Sequence, residues 1–510
     1  MVAHIVSPAL LGLHAATVHV EADLRSGMPA FAVVGLPDTA VQESRERVRS
    51  GLVNQAFKVP RQRIVVNLAP ADLRKVGPQY DLPIALAILA ASGQIKRTSL
   101  AGLGAVGELA LDGSLRPLQG TLAMAEHAAA NGWARLIVPA ANAPEAALVS
   151  GVDIVPATSV RQAVDILEGR IRVDGPVIDP HALLAEHAGR SGPDLREVRG
   201  QTGARRALEV AAAGAHSTLM IGPPGGGKTM LARRLPSILP PLDLDHAVTL
   251  TRIHSVAGKL PAGMAMMAER PFRAPHHTIS AVGLVGGGTI PRPGEVTLAH
   301  LGVLFLDEVC AFSPAALDAL RQPLEEGTVD ITRGMVTARF PARPLLVCAG
   351  NPCPCGYDGD ADRPCTCPPG RATAYRARLS GPIMDRIDLH LTVPRLESAD
   401  IVGDGTAGET SDVVRARVID ARTRAGRRGQ SVPNGLLPST VARSVCELGA
   451  PEESVLRRAV DRYALSARAY DRLLRVARTI ADLDASERVQ VPHLTEALGY
   501  RLPSPARMAA

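Results

Sequence analysis

The chain has 510 residues, 46% of them hydrophobic, enough to fill about three ordinary domain cores. Its longest clean apolar run, residues 82–91, is too short to span a bilayer, and no basic stretch leads into an apolar one at the N-terminus. A cytoplasmic protein without membrane contact is therefore expected. The net charge of +6 suits nucleic acid, while only 3% aromatic residues argues against base stacking and leaves Arg and Lys on phosphates.

Residues 1–170 read as an α/β unit. Strand-like runs occur at 17–20, 30–34, 63–68, 105–110, 136–138 and 153–155, with helical stretches at 39–56, 82–91 and 120–131. Asp38 is placed to cap the first helix, and Asp112-Gly113 to turn a hairpin. Residues 171–194 hold Asp174-Gly175-Pro176, Asp179-Pro180 and Ser191-Gly192-Pro193, the punctuation of a linker. A second domain, the core of the chain, is expected over 195–395, opening with a helix at 204–213.

The centre of the chain is Gly222-Pro223-Pro224-Gly225-Gly226-Gly227-Lys228-Thr229, a G-x-x-x-x-G-K-T phosphate loop between a short apolar strand and a helix. Its glycines let backbone N–H groups crowd around phosphate oxygens, and the helix N-terminus adds positive potential. Lys228 is expected on the outer phosphates of ATP and Thr229 on Mg²⁺. Further on, the apolar run 302–306 ends in Asp307-Glu308. Asp307 would help hold Mg²⁺, and Glu308 would take a proton from the attacking water.

Next, Ser313 and Pro314 open a helix reaching Glu326, and two strand-like runs flank Arg333-Gly334, a hairpin with a basic tip. A buried strand at 345–349 leads to Asn351, a residue suited to orienting the attacking water. Cys353-Pro354-Cys355 and Cys365-Thr366-Cys367 bracket nine residues rich in Gly, Asp and Pro. Four thiolates suit structural Zn²⁺, although C-x-C departs from the usual C-x-x-C; the alternative is a surface loop of reduced cysteines. Cys310 and Cys348 adjoin core strands and read as buried; Cys446 reads as helical. His276 and His277 are adjacent, so their rings should diverge, which argues against a shared metal. The stretch 283–288 reads as a plain surface loop; by resemblance to related ATPases, whose inserted loops here face a ring pore, it reads equally as a mobile pore loop.

After a linker at 396–411, residues 412–510 read as helical, with helices near 412–428, 438–448, 451–463, 467–483 and 492–499. The first carries Arg415, Arg417, Arg422, Arg424, Arg427 and Arg428, either a solvated face or a phosphate-contacting surface.

Two resemblances add to this reading. Residues 76–85 and 107–120 resemble the Lon protease domain and, more broadly, the ribosomal-protein-S5-like fold. Asp81 stands where Lon has its Ser and Leu122 roughly where it has its Lys, so the resemblance implies the fold without peptidase activity. Asp81 itself reads as a helix cap. Residues 195–395 resemble the magnesium-chelatase-like branch of the AAA+ ATPases, and within it the ComM (YifB) family. The phrases that carry this are Arg270-Pro271-Phe272-Arg273-Ala274-Pro275-His276-His277-Thr278, Pro291-Arg292-Pro293-Gly294-Glu295, Asn351-Pro352-Cys353-Pro354-Cys355-Gly356 and Ser466-Ala467-Arg468-Ala469-Tyr470. Gly226 departs from the family's usual Thr or Ser.

The resemblance implies a homo-oligomeric ring, a hexamer, that moves branched or single-stranded DNA without sequence preference, as a branch-migration helicase in recombination during natural transformation. Recombination proteins would be its partners. It also implies that Arg386 reaches the neighbouring subunit's nucleotide in trans, and that Arg468 in the helical lid contacts ATP in cis. Two rivals stay open. One is the motor of a metal-chelatase-like complex, against which the Lon-like front argues. The other is an ATP-dependent protease, against which the missing Ser–Lys pair argues.

Overall fold

The computed structural model describes residues 2–187, 192–288, 291–333, 336–360, 363–379, 381–395 and 408–501. By contact the chain forms two compact units. The first comprises Met1–Glu186, Asp243–Ala268 and Thr332–Phe340; the second comprises His187–Leu242, Glu269–Ile331 and Pro341–Ala510. Two stretches from the middle of the chain thus join the first unit rather than the core around them in sequence.

The first unit is built on a seven-stranded mixed sheet. Its order is Ala30–Val34, Arg63–Ala69, His14–Arg25, Val2–Leu11, Leu103–Ala105, Arg135–Pro139 and Asp153–Ala157. Val2–Leu11 and His14–Arg25 pair antiparallel from Val2 opposite Asp23 to Leu11 opposite His14. Gly12 makes that tight turn in the left-handed region at φ +61°. This hairpin was not expected beyond residues 17–20; its signal is the single Gly12 between two alternating runs. Asp38 caps the helix Thr39–Asn54 as expected, accepting from the Val41 N–H at 2.8 Å.

The helix Asp81–Ala91 is buried at every residue. A helix apolar on all sides belongs inside a core, and this one packs against the first two strands. Asp81 is not a cap. The residue before the helix makes no side-chain cap bond, and the Asp81 carboxylate instead accepts from Arg47 Nε at 2.6 Å, Arg47 Nη2 at 3.0 Å and Leu109 N at 3.1 Å. The reason is burial: a carboxylate out of water needs a cation and donors. Burial pushes the Asp81 carboxyl above its usual value, and Arg47 opposes that. Leu122 is fully buried in a helix of the same unit.

The second unit carries a five-stranded, all-parallel sheet in the order Phe272–Arg273, Val303–Leu306, Leu345–Gly350, Thr218–Ile221 and Leu389–Thr392. Leu345–Gly350 is buried throughout, as a central parallel strand must be. It lies between the phosphate-loop strand and the acidic strand. The C-terminal ends of these three neighbours therefore deliver Gly222, Asp307 and Asn351 to one edge, where ligands bind in open α/β sheets. The expected helix from Pro314 to Glu326 is broken into Pro314–Ala319 and Arg321–Glu326, the first capped by Ser313. A two-stranded sheet pairs Thr328–Arg333 with Val336–Pro341, while the side chains of the expected basic tip lie outside the described residues.

Among the described residues of the C-terminal part are five α-helices, Ser411–Arg427, Ser439–Ser444, Ala450–Tyr463, Ala467–Leu483 and Val491–Gly499. Cys446 lies in the turn after the second of them and is buried, its thiol pushed up to about 12 by desolvation. Of the six arginines in the arginine-rich stretch, Arg427 is exposed and the other five are half-buried and bonded within the chain. Arg415 donates to Ser237 O, Arg417 pairs with Glu209 and Glu409, and Arg422 donates to Ala212 O and Ala213 O. Arg424 donates to Asp482 O, and Arg428 grips both Asp482 carboxylate oxygens at 2.6 Å. Five of its arginines thus tie the helix to its neighbours. The sequence showed their spacing but not the acceptors, which lie up to 210 residues away. Most of the expected linker, residues 396–407, lies outside the described residues.

Candidate nucleotide site

The phosphate loop has the shape its glycines allow. Gly225 and Gly227 sit at φ +81° and +84°, in the left-handed region. A Cβ on Gly222 would stand 2.0 Å from Val393 O, so only glycine fits there. Gly226 is less constrained: a Cβ would find its nearest atoms, Pro223 O and Val393 O, at 3.3 Å, tight but without the overlap met at Gly222. Gln201, itself at φ +49°, donates from Nε2 to Pro394 O at 2.7 Å and Gly226 O at 3.4 Å. Sequence reading assigned Gln201 no role; its left-handed backbone is visible only in the fold.

Lys228 opens the helix Lys228–Ile238 and is largely buried. Its Nζ donates to Gly222 O and Pro223 O at 2.8 Å each and to Asn351 Oδ1 at 3.3 Å, using all three ammonium protons. Burial pushes its pKa below the usual lysine value, and the charge of Asp307 pulls it back. Thr229 Oγ1 donates to Asp307 Oδ2 at 2.8 Å. A hydroxyl beside a carboxylate is the hard-oxygen donor set that Mg²⁺ takes. The loop, Lys228, Thr229, Asp307 and Asn351 are therefore one constellation.

Glu308 follows Asp307 at φ +50°, a left-handed backbone that costs a non-glycine residue on the order of 1 kcal/mol. Strain of this kind gathers at functional positions. It turns the Glu308 side chain outward, 60% exposed, to within 3.7 Å of His277 Nδ1. The rings of His276 and His277 lie only 4.1 Å apart with a 33° tilt, so the expected divergence does not occur. His277 also meets the edge of Phe312. No sequence signal placed His277 beside Glu308. Arg273 on the edge strand explains part of that motif, because it grips Glu295 through two bonds of 2.6 and 2.7 Å. This pair joins the two ends of the stretch 273–295. Within it are the helix Ala281–Val285 and a hairpin of Gly286–Gly287 with Arg292–Pro293.

Arg386 is nearly buried and pairs with Glu325 of its own chain. Arg468 is exposed on the first turn of the helix Ala467–Leu483, whose Ser466 caps Ala469 N. Among the described residues no hydrogen bond or ion pair joins Arg386 or Arg468 to the phosphate loop.

The four cysteines converge. Cys353 Sγ lies 3.2 Å from Cys355 Sγ and 3.7 Å from Cys365 Sγ, Cys355 Sγ lies 3.5 Å from Cys365 Sγ, and all four sulfurs fall within 4.8 Å of one another. A tetrahedron with Zn–S bonds of about 2.3 Å has edges of about 3.8 Å, so the set fits zinc. Cys310 and Cys348 are buried as expected, and desolvation pushes the Cys348 thiol up to about 12.

Three family models match the chain. "Magnesium chelatase, subunit ChlI" covers residues 194–401, "Subunit ChlI of Mg-chelatase" covers 20–142, and "Magnesium chelatase, subunit ChlI C-terminal" covers 408–501. The competence protein ComM of Haemophilus influenzae is 44% identical over 97% of this chain and 96% of its own length. The chain belongs to the ComM/YifB family of magnesium-chelatase-like AAA+ proteins. The uncharacterized protein YifB of Escherichia coli is 42% identical over the same shares. Lon protease 2 of Bacillus subtilis is 31% identical over 145 residues, 26% of each chain, so the Lon likeness is partial. Residues 20–142 of the front unit match a model that itself bears the chelatase subunit's description. That front is therefore no argument against a chelatase-type motor. Among the described residues no helix is long and apolar enough to cross a membrane.

Proposed function

We propose that this chain is an ATP-hydrolysing subunit of a cytoplasmic ring, a hexamer, that drives branched or single-stranded DNA through branch migration in recombination. The observation that carries the reading is the meeting of Lys228, Thr229, Asp307 and Asn351 at the ends of three adjacent parallel strands. The ComM relative's name supports the link to competence. Recombination proteins would supply its substrates.

In this reading the loop N–H groups and Lys228 hold the triphosphate, and Lys228 trades its carbonyl partners for phosphate oxygens. Thr229 and Asp307 would hold Mg²⁺, which supplies positive charge against the phosphates. Glu308 accepts the proton of the attacking water, to which its exposure gives access, and Asn351 orients that water. Arg386, once released from Glu325, stabilises charge in the neighbouring subunit's site. The C-terminal helices act as a lid with Arg468 facing ATP. Structural zinc on the four cysteines and the absence of peptidase activity complete the reading; Asp81, committed to Arg47, has no hydroxyl to activate.

ATP turnover with and without branched DNA, in the intact protein and in Glu308→Gln, tests this. DNA should raise turnover and the substitution should abolish it. Turnover indifferent to nucleic acid but raised by a porphyrin would favour the chelatase-type motor, which the descriptions of the matched families keep open.

A further inference from the structure

The four-cysteine cluster touches the nucleotide pocket at two points. At one, Gly350 closes its strand, Asn351 follows, and Cys353 is fully buried two residues later. Asn351 carries the oxygen that faces Lys228. At the other, Gly356 lies flat on the phosphate loop at φ +91°. A Cβ there would stand 2.6 Å from Pro224 Cδ and 2.8 Å from Pro224 Cγ. The turn is closed by Gly356 N donating to Cys353 O at 3.0 Å. Arg376 fastens it from outside, donating to Pro352 O at 3.4 Å and Asp358 Oδ2 at 2.5 Å.

This segment has no core of its own. Of the nine residues between Cys355 and Cys365, three are Asp, two are Gly, and the only apolar ones are Tyr357 and Ala361. Such a loop cannot bury enough apolar surface to offset the entropy of ordering it. Four converging thiolates can, because metal binding and local folding are one equilibrium. With all four positions taken by sulfur, the metal has no open site for chemistry. Its effect must pass through what the loop meets, and on the nucleotide side that includes Pro224 and, two residues before Cys353, Asn351.

We propose that zinc held by Cys353, Cys355, Cys365 and Cys367 is a brace for the nucleotide pocket, fixing Pro224 and Asn351 so that metal loading sets the affinity for ATP. The inference rests on the nucleotide-site reading above. Soft thiolate donors select zinc over the magnesium that serves Thr229 and Asp307, so the two metals do not compete for one site.

The test uses the full chain, with bound zinc and the affinity for a fluorescent ATP analogue measured together in excess Mg²⁺. One zinc ion per chain is expected. Stripping it with a zinc chelator should weaken the analogue by about tenfold, and returning zinc should restore it. Cys365→Ser with Cys367→Ser should lose zinc and show the same weakening. Gly356→Ala keeps every thiolate; it should retain zinc yet bind nucleotide less tightly, because its methyl meets Pro224. This variant and the chelation arm stand even if the cysteine variant fails to fold. Affinity unchanged by stripping overturns the brace, as does a protein that neither carries nor takes up zinc. Zinc-loaded protein that binds no nucleotide would overturn the nucleotide-site reading, and the brace with it.

Discussion

Thr229 and Asp307, 78 residues apart, meet through a 2.8 Å hydrogen bond from hydroxyl to carboxylate. The bond fixes the acidic strand's end beside the first turn of the helix that follows the phosphate loop, and Glu308 is the next residue, on an outward turn. Asp307 and Glu308 should therefore fail in different ways. Glu308→Gln should keep nucleotide affinity and lose turnover by about 10²-fold or more, since only the proton acceptor is gone. Asp307→Ala should lose the Mg²⁺-dependent part of nucleotide binding as well. Steady-state turnover beside equilibrium binding reads both; near-normal turnover in Glu308→Gln would remove Glu308 from the chemistry.

The phosphate loop offers a sharper contrast within a few residues. A methyl on Gly222 would overlap Val393 O at 2.0 Å, whereas one on Gly226 meets only 3.3 Å neighbours on a backbone any residue adopts. Gly222→Ala should abolish nucleotide binding. Gly226→Ala should change the affinity by no more than about threefold, less than 1 kcal/mol. Binding of a fluorescent ATP analogue separates the two, and equal loss in both would mean that the loop does not hold phosphate in this shape.

Sequence carried the site further than the fold. Lys228, Thr229, Asp307 and Asn351 were legible because each is tied to a backbone event, a glycine turn or a strand end, that leaves a local mark. The cysteine cluster was legible for the same reason, with both pairs inside one short loop. What stayed hidden depends on distant partners. Arg422 looks like any surface arginine until its acceptors, Ala212 O and Ala213 O, are brought from another helix. His277 beside Glu308 and Arg47 on Asp81 are meetings of the same kind. The continuous helix expected from Pro314 to Glu326 overlooks Pro323, which has no N–H for the carbonyl of residue 319, and the first segment ends at that residue.

Arg386 offers a test of the ring itself. Its guanidinium is held by Glu325 in the isolated chain, so a role in a neighbour's site requires that pair to open. Arg386→Ala and Glu308→Gln should each be inactive alone. Mixed and allowed to exchange subunits, they should regain part of the wild-type turnover. Some interfaces would then combine an intact Glu308 with a neighbour's intact Arg386. Turnover measured across mixing ratios reads this directly. Mixtures that stay inactive despite proven exchange would place Arg386 in its own subunit's structure rather than in its neighbour's chemistry.

His390 should make the second unit acid-sensitive. It is buried on the strand Leu389–Thr392, with Nε2 facing Ile387 O at 3.2 Å. Desolvation, helped by the positive charge of Arg501, pushes its pKa from the ordinary 6.5 down to about 4. The folded state therefore holds the neutral ring, while the unfolded chain takes up a proton below about 6.5. The stabilising contribution is fully present above that value and is lost as pH falls through the window toward 4, on the order of 3 kcal/mol when complete. His390→Gln keeps an N–H for Ile387 O and does not titrate. Urea midpoints of the unfolding step that exposes Cys446, followed by thiol labelling from pH 7.5 to 4.5, should fall more steeply in the wild type than in the variant. Parallel curves would mean that His390 is charged inside the fold, and that its burial costs far less than the low-dielectric surroundings imply.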